Sequence, residues 1–144
     1  MMPYANANNQ YLTQRVLGAG PEQLMALLLE GAQRFLAQAI QGISRRDIAL
    51  KAQALNRVTA ILEELTLRLN HEEGGDLVAN LMRVYDWWGR EIIAASAELD
   101  GARLERVSRQ MSEMRQAWEQ SFQKRASSGA RVSRVGVEAG GMVG

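Results

Sequence analysis

The sequence lacks cysteine and contains a single histidine and only two prolines. Without cysteine, disulfides, thiolate metal sites and a thiol nucleophile are all excluded. The longest apolar run, residues 24–29, is far too short to span a bilayer. The polar N-terminus MMPYANANNQ has neither the basic region nor the apolar region of a signal peptide. We therefore expect a cytosolic protein that does not insert into membranes.

Neither sign of charge dominates the sequence, which has 17 basic and 16 acidic residues and a formal net charge of +1. The basic residues are spread along all the predicted helices and are not gathered in one stretch. A nucleic-acid-binding surface needs basic residues clustered on one face. We therefore expect no nucleic-acid partner.

The hydrophobic pattern predicts four helices in an antiparallel up-down-up-down bundle. The helices are expected at about residues 20–43, 45–69, 75–96 and 101–125, and connections this short favour antiparallel neighbours. A length of 144 residues fits one domain, and 47% hydrophobic residues can form its core. We expect an arm at residues 1–19, the bundle at 20–125 and a flexible, Gly- and Ser-rich tail at 126–144.

The first helix has more apolar surface than one packing face requires. Leu24, Leu28 and Phe35 lie on one stripe, and Leu29 and Leu36 lie on a second stripe beside it. Together the stripes cover roughly 220°, whereas an amphipathic surface helix shows roughly 100° or more. Such a helix must be covered on two sides, by the rest of the domain and by the arm, a second subunit or a client. The second and third helices are similarly wide, and the fourth has a single narrow seam.

No motif indicates catalysis, a cofactor or a bound metal. Di-iron bundles need Glu-x-x-His pairs on two helices, and one histidine cannot supply them. Neither of the two glycine-rich phosphate-binding motifs, G-x-x-x-x-G-K-[ST] and G-x-G-x-x-G, occurs in the sequence. The segment Glu72-Glu73-Gly74-Gly75 is expected to be a polar turn. We therefore expect neither an enzyme nor a cofactor.

Histidine and tryptophan suggest two alternatives that must be weighed. Histidine phosphotransfer domains are small four-helix bundles, and His71 could play their role, although Glu72 and Glu73 beside it would repel a phosphoryl group. Trp88 and Trp118 lie on core stripes and are expected to pack inside. Trp87 falls on the polar side of the third helix, and exposed indoles commonly anchor partners.

Three segments together resemble the FliS family of flagellar export chaperones. Tyr11, Val16 and Pro21, each five residues apart, precede a Leu-x3-Leu-x2-Gly-Ala-x-Arg-Phe pattern like the one that opens the family's sequences. Residues 69–88, LNHEEGGDLVANLMRVYDWW, resemble its second loop and third helix, and MRQAW at 114–118 resembles the end of its fourth helix. The family's Thr-Ala-Ser before the proline is Gly-Ala-Gly at 18–20 here, which loses a side-chain N-cap. Where the family has an aromatic residue after the second leucine, this sequence has Leu29.

This resemblance implies a cytoplasmic chaperone that binds the C-terminal segment of flagellin, prevents premature polymerisation and delivers it to the flagellar type III export apparatus. It also implies contact with an export-gate component. The wide stripes suggest a physical basis, because a client helix could enter grooves beside the first three helices and displace the arm. The residues expected to bind the client or dock the arm are Tyr11, Val16, Leu24, Leu28, Leu29, Ile61, Met82 and Tyr85.

Core packing is the alternative role for each of these eight residues. A different class of function also remains, namely a homo-oligomeric structural bundle whose wide faces pair with each other. A homodimer is therefore a possible state of the protein.

Overall fold

A computed structural model of the protein describes residues 20–69, 72 and 74–139, with the backbone alone at residue 122 and at residues 125–139. Four helices account for nearly all of them: α1 (Pro21–Ser44), α2 (Ile48–Leu67), α3 (Gly75–Glu98) and α4 (Gly101–Ala139). The described ranges contain no strand. The predicted all-α class is confirmed.

By its internal contacts the chain divides into two compact units, residues 27–115 and residues 1–26 with 116–144. The described part of the second unit is helical apart from Gly20. In the first turn of α1, the Leu24 amide donates to the Gly20 carbonyl at 2.9 Å. The unit of residues 27–115 contains the helix pairs considered below.

Within residues 27–115, the helices form an antiparallel bundle in which each helix contacts two others. Nε of Arg103 lies 3.5 Å from Oε1 of Glu91, and the Trp88 indole donates a hydrogen bond to Gln110. A later residue of α3 thus contacts an earlier residue of α4, so these two helices are antiparallel. The four helix pairs are tied by contacts of Gly31 with Ile61, Lys51 with Ser96, Trp88 with Gln110, and Gln33 with Ser108. The predicted four-helix bundle is confirmed.

The core is built from one apolar stripe of each helix. Its largest fully buried side chains are Trp88, Leu29, Leu36, Leu65, Leu104, Met111, Val58 and Val107. Ile48 and Leu77 continue the helical spacing of the core stripes of α2 and α3, from which burial is expected, but they are 50% and 63% exposed. Both lie in the first turn of their helices, at the edge of the core. Lys51, which the pattern did not place inside, is buried.

The helix ends follow local side-chain chemistry. Oδ1 of Asp47 accepts from the Leu50 amide at 3.1 Å, so Asp47 caps α2. The sequence Ser44-Arg45-Arg46-Asp47 has the spacing of a capping box, but Ser44 is the last residue of α1 and does not cap α2. Asp100 is of a residue type that favours the N-cap position, and it caps α4, accepting from the Arg103 amide at 3.1 Å.

The fourth helix ends later than the sequence indicates. Its backbone is helical to Ala139, through much of the segment for which composition predicts a flexible tail. Residues 126–139 contain no proline, so the helical hydrogen bonds can continue, and the two glycines there weaken a helix without stopping it. Residues 1–19 and 140–144 lie outside the described residues, and the division into arm, bundle and tail stays a prediction.

Candidate functional site: the groove between α2 and α3

A surface groove follows the seam between α2 and α3. Its wider part, a cavity of about 860 Å³, is lined from α2 by Thr59, Leu62, Glu63, Thr66 and Leu67, and from α3 by Met82, Arg83, Tyr85, Asp86, Gly89, Arg90 and Ile93. A second cavity of about 540 Å³ shares Thr59 and Ile93 with the first and continues to Leu99. We call the two together the α2–α3 groove. From residue 82 to residue 99 it is about 26 Å long, at about 1.5 Å per helical residue.

Large apolar side chains stand exposed along this groove. Leu67 and Ile93 are 78% and 71% exposed, and Met82 and Leu99 are each about two-fifths exposed. A single exposed leucine is ordinary on a protein surface, but several on one concave surface mark a place where a partner or ligand binds. The groove is therefore the apolar surface that remains after the core has formed.

The charged side chains of the wider cavity balance one another. Arg90 pairs with Asp86 one turn earlier, and Arg83 donates to Oδ1 of Asn80 at 3.0 Å. With Glu63 on the opposite helix, two arginines face two carboxylates in the wider cavity. An apolar floor with a charged rim of no net sign is the composition of a protein-binding surface.

Tyr85 lines the groove but is itself almost fully buried, at 3% exposure. Its ring lies 5.9 Å from that of Trp88, centroid to centroid and tilted by 39°. Its buried hydroxyl has no hydrogen-bond partner among the described residues. Burial raises the pKa of Tyr85 from 10.0 to about 12, because the phenolate would lose its hydration. At neutral pH this hydroxyl is an unused donor.

The smaller cavity of the groove lies beside the C-terminal end of α3. Nζ of the buried Lys51 donates to the Ser96 carbonyl at 3.0 Å, which places a positive charge at the C-terminal end of α3. Leu99 ends the helix in the left-handed conformation, at φ 54° and ψ 44°, where glycine is usual. A leucine at this position adds its side chain to the groove lining.

A separate cavity of about 830 Å³ lies between α3 and α4. Trp87 and Trp88 both line it, and Nε1 of Trp88 donates to Oε1 of Gln110 at 2.8 Å. Trp87 is 43% exposed and Trp88 is 1% exposed, so the predicted split between an outer and an inner indole is confirmed. Trp118, predicted to be a core residue, is half-buried.

The structure separates the predicted site residues into four groups. Met82 and Tyr85 line the α2–α3 groove, Met82 as a partly exposed side chain and Tyr85 as a core residue that reaches the groove. Ile61 is half-buried on the side of α2 that faces α1, where its Cδ1 lies 3.5 Å from a Cβ placed on Gly31. The positions in α1 are Leu29, which is fully buried, and Leu24 and Leu28, which are half-buried.

The fourth group, Tyr11 and Val16, lies outside the described residues, as does the alternative phosphotransfer residue His71. Their predicted roles therefore stay predictions. Leu24 belongs to the unit of residues 1–26 and 116–144, whereas Leu28 and Leu29 belong to the other unit.

Among the groove residues that sequence reasoning missed are Leu67, Gly89 and Ile93. Ile93 directly follows the core residue Ile92, and adjacent residues of a helix cannot lie on the same stripe. Leu67 carries a similar signal, because it follows the core residue Leu65 by two positions. Gly89 could have been noticed as a glycine inside a helical pattern.

Among the described residues, no group of acidic and imidazole side chains is placed to hold a metal ion, and none of their helices is long and apolar enough to cross a membrane. The profile of the family described as Flagellar protein FliS matches residues 4–125.

The chain belongs to the FliS family. The predicted resemblance is thus confirmed over most of its length, and the family gives the protein a chaperone role in flagellar export.

Characterised relatives support this assignment at the level of whole chains. The flagellar secretion chaperone FliS of Salmonella typhimurium is 31% identical over 106 residues, covering 73% of this chain and 78% of its own. FliS of Bacillus subtilis is 29% identical over 122 residues, covering 85% and 90%. FliSB of Pseudomonas aeruginosa is 30% identical over 105 residues, covering 73% and 83%. The chain therefore aligns with about four-fifths or more of the length of each of these three relatives.

Proposed function

We propose that this FliS protein binds the C-terminal segment of flagellin in the cytosol, prevents its premature polymerisation and delivers it to the flagellar type III export apparatus. The observation that carries this proposal is the uncovered apolar surface of the α2–α3 groove, above all Leu67 and Ile93. Family membership supports the chaperone role, and the resemblance noted in the sequence suggests the client. The work performed is binding and no reaction is catalysed.

The groove fits an amphipathic helix better than it fits a small molecule. At about 26 Å it accommodates a helix of about 17 residues, whose apolar side chains at i, i+3, i+4 and i+7 would follow the groove floor. The balanced rim charges provide little long-range attraction, so affinity must come mainly from covering Leu67, Met82 and Ile93. Each of these partly exposed side chains contributes about 1–2 kcal/mol when covered.

Three such contacts do not suffice for tight binding by themselves. Association costs an estimated 4 kcal/mol or more, before any ordering of the client is counted. We therefore infer that the client extends beyond the groove and uses other apolar surface, for which the half-buried Leu28 and Phe35 of α1 are candidates. The predicted arm, with Tyr11 and Val16, would compete for part of this surface and lower the apparent affinity.

The experiment compares two exposed residues of the same helix that line different cavities. Ile93→Asp places a charge in the α2–α3 groove, and the control Trp87→Asp places the same charge in the α3–α4 cavity. Titration calorimetry measures the affinity of each variant for full-length flagellin and for flagellin lacking its last few tens of residues. We expect Ile93→Asp to weaken binding at least about tenfold and Trp87→Asp to change it by less than about twofold.

Several results contradict the proposal. Truncated flagellin that binds as well as the full-length protein removes the C-terminal segment as the client. Unchanged affinity in Ile93→Asp removes the groove as its site. Light scattering that finds a stable dimer indifferent to flagellin favours the homo-oligomeric alternative. Melting curves of both variants check that the exposed substitutions leave the fold intact.

A further inference from the structure

Gly89 lies near the middle of α3, where the fold gives no reason for a glycine. Glycine is a poor helix former and persists inside helices where a neighbour lies too close for a Cβ or where φ is positive. Gly42 of α1 illustrates the first case, because its Cβ would lie 2.7 Å from the Lys51 backbone nitrogen. A Cβ on Gly89 would meet nothing within 4 Å, and the glycines with positive φ in the described part are Gly74 and Gly75.

The position of Gly89 suggests what the missing side chain is for. It lines the wider cavity of the α2–α3 groove, four residues after Tyr85 and four before Ile93. Residues four apart lie one above the other on a helix face, with Cβ atoms about 5–6 Å apart. The absent side chain therefore leaves a notch in the groove wall between a buried tyrosine and an exposed isoleucine.

A second observation points to an occupant of this notch. Tyr85, one turn before Gly89, carries the buried hydroxyl that has no hydrogen-bond partner among the described residues. A buried polar group without a partner costs free energy, and such groups are rare in folded proteins. The oxygen is sealed from solvent, so a ligand that reaches it must shift the Tyr85 ring slightly toward the groove, and an acceptor brought there would remove the cost.

We propose that the notch at Gly89 receives one large apolar side chain of the bound client helix, and that the Tyr85 hydroxyl donates a hydrogen bond to the same helix. This inference rests on the proposed function and specifies the client's chemistry. The helix carries a leucine-sized or aromatic anchor, with a hydroxyl, amide or carbonyl oxygen about one turn away. Gly89 is then a specificity-determining position, since any larger residue would occupy the anchor's place.

The test fills the notch and leaves the rest of the groove unchanged. Gly89→Ala and Gly89→Leu add one and four carbon atoms in open space, and the control Ala60→Leu adds a similar bulk at an exposed position of α2 that does not line the groove. The probe is a peptide of the flagellin C-terminal segment, measured by titration calorimetry beside thermal melting. Tyr85→Phe removes the hydroxyl alone.

We expect stability and binding to change in opposite directions. Both Gly89 variants should melt at or above the wild-type temperature, because alanine and leucine are better helix formers than glycine. Gly89→Leu should bind at least about tenfold more weakly, Gly89→Ala by an intermediate factor, and Ala60→Leu like the wild type. Tyr85→Phe should lose about threefold or more in affinity without a lower melting temperature.

The outcomes separate this inference from the proposed function. Wild-type affinity in Gly89→Leu, together with weak binding by Ile93→Asp, overturns the notch and leaves the groove as the client site. Wild-type affinity in both Gly89→Leu and Ile93→Asp overturns the notch and also the groove as the client site. A Gly89→Leu protein that melts below the wild type while Gly89→Ala binds normally shows that Gly89 is structural, and this also overturns the notch.

Discussion

The Trp88 indole nitrogen donates a 2.8 Å hydrogen bond to the side-chain oxygen of Gln110, which joins α3 to α4. Trp88 is 1% exposed and is among the largest fully buried side chains of the protein. Its single polar atom is thereby satisfied inside the bundle. The bond also fixes the indole, against which Tyr85 packs beneath the α2–α3 groove.

Replacing Gln110 with methionine should destabilise the protein although methionine fits a similar volume. The buried Trp88 N–H would lose its acceptor, at a cost of about 1–3 kcal/mol. Chemical denaturation of Gln110→Met against the wild type measures the loss. The matched control is Gln53→Met on an exposed face of α2, expected to change stability by less than about 0.5 kcal/mol. Equal effects at the two positions would mean that the bond to Trp88 is not the cause.

Alanine at Gly42 and alanine at Gly89 should have opposite effects on stability. Both substitutions improve helix propensity by about 1 kcal/mol. At Gly42 the new Cβ would lie 2.7 Å from the backbone nitrogen of Lys51 and 3.0 Å from the carbonyl oxygen of Asp47. The turn between α1 and α2 would therefore have to move. We expect Gly42→Ala to lose about 1–3 kcal/mol net and Gly89→Ala to gain about 0.5–1 kcal/mol. Urea midpoints of the two variants measure this, and a shift of the same sign contradicts it.

Stability should fall at high pH because of Tyr85. Its folded pKa is about 12 and its ordinary value is 10.0. Between these values the unfolded chain releases the phenolic proton while the folded protein keeps it, so the free energy of unfolding falls as pH rises. The full loss is about 2–3 kcal/mol, reached near pH 12, and it is absent below pH 10. Urea unfolding at pH 9 and 11.5 should show a steeper decline for the wild type than for Tyr85→Phe. Parallel declines would place the titration elsewhere.

The arm prediction can be tested at Tyr11. If the arm is a competing internal ligand, Tyr11→Ala should raise the affinity for the flagellin C-terminal segment severalfold by releasing the covered surface. The melting temperature should hardly change, because the arm prediction places Tyr11 outside the core. Calorimetry and a melting curve measure the two quantities. Loss of the cooperative unfolding transition would instead identify Tyr11 as a core residue.

The helices were predictable because their apolar positions recur at helical spacing and their connections are short. Aspartate favours the N-cap position, and Asp100 caps α4. The start of α2 was misjudged by a few residues, since Ser44 and Asp47 both favour an N-cap and only the tight approach of Gly42 to Lys51 decides between them. Local sequence does not encode that approach.

The groove was predictable only in part. Surplus apolar surface on the helices was evident from stripe width, and Met82 and Tyr85 were placed near it. Which stripe would be buried was not evident, because Leu29 of α1 went fully inside while Ile93 of α3 stayed 71% exposed. That choice depends on how the helices rotate about their axes when they pack, and hydrophobic period alone does not fix this rotation.

The exposure of Leu67 and Ile93 also has a consequence for the solubility of the protein. Exposed apolar patches promote association between copies, so on the proposed function the protein should be more soluble with its client bound than without it. Co-expression with the proposed client should therefore give a higher yield of monodisperse material than expression alone. If the groove binds that client, the same apolar surface limits how much unbound protein can accumulate in soluble form.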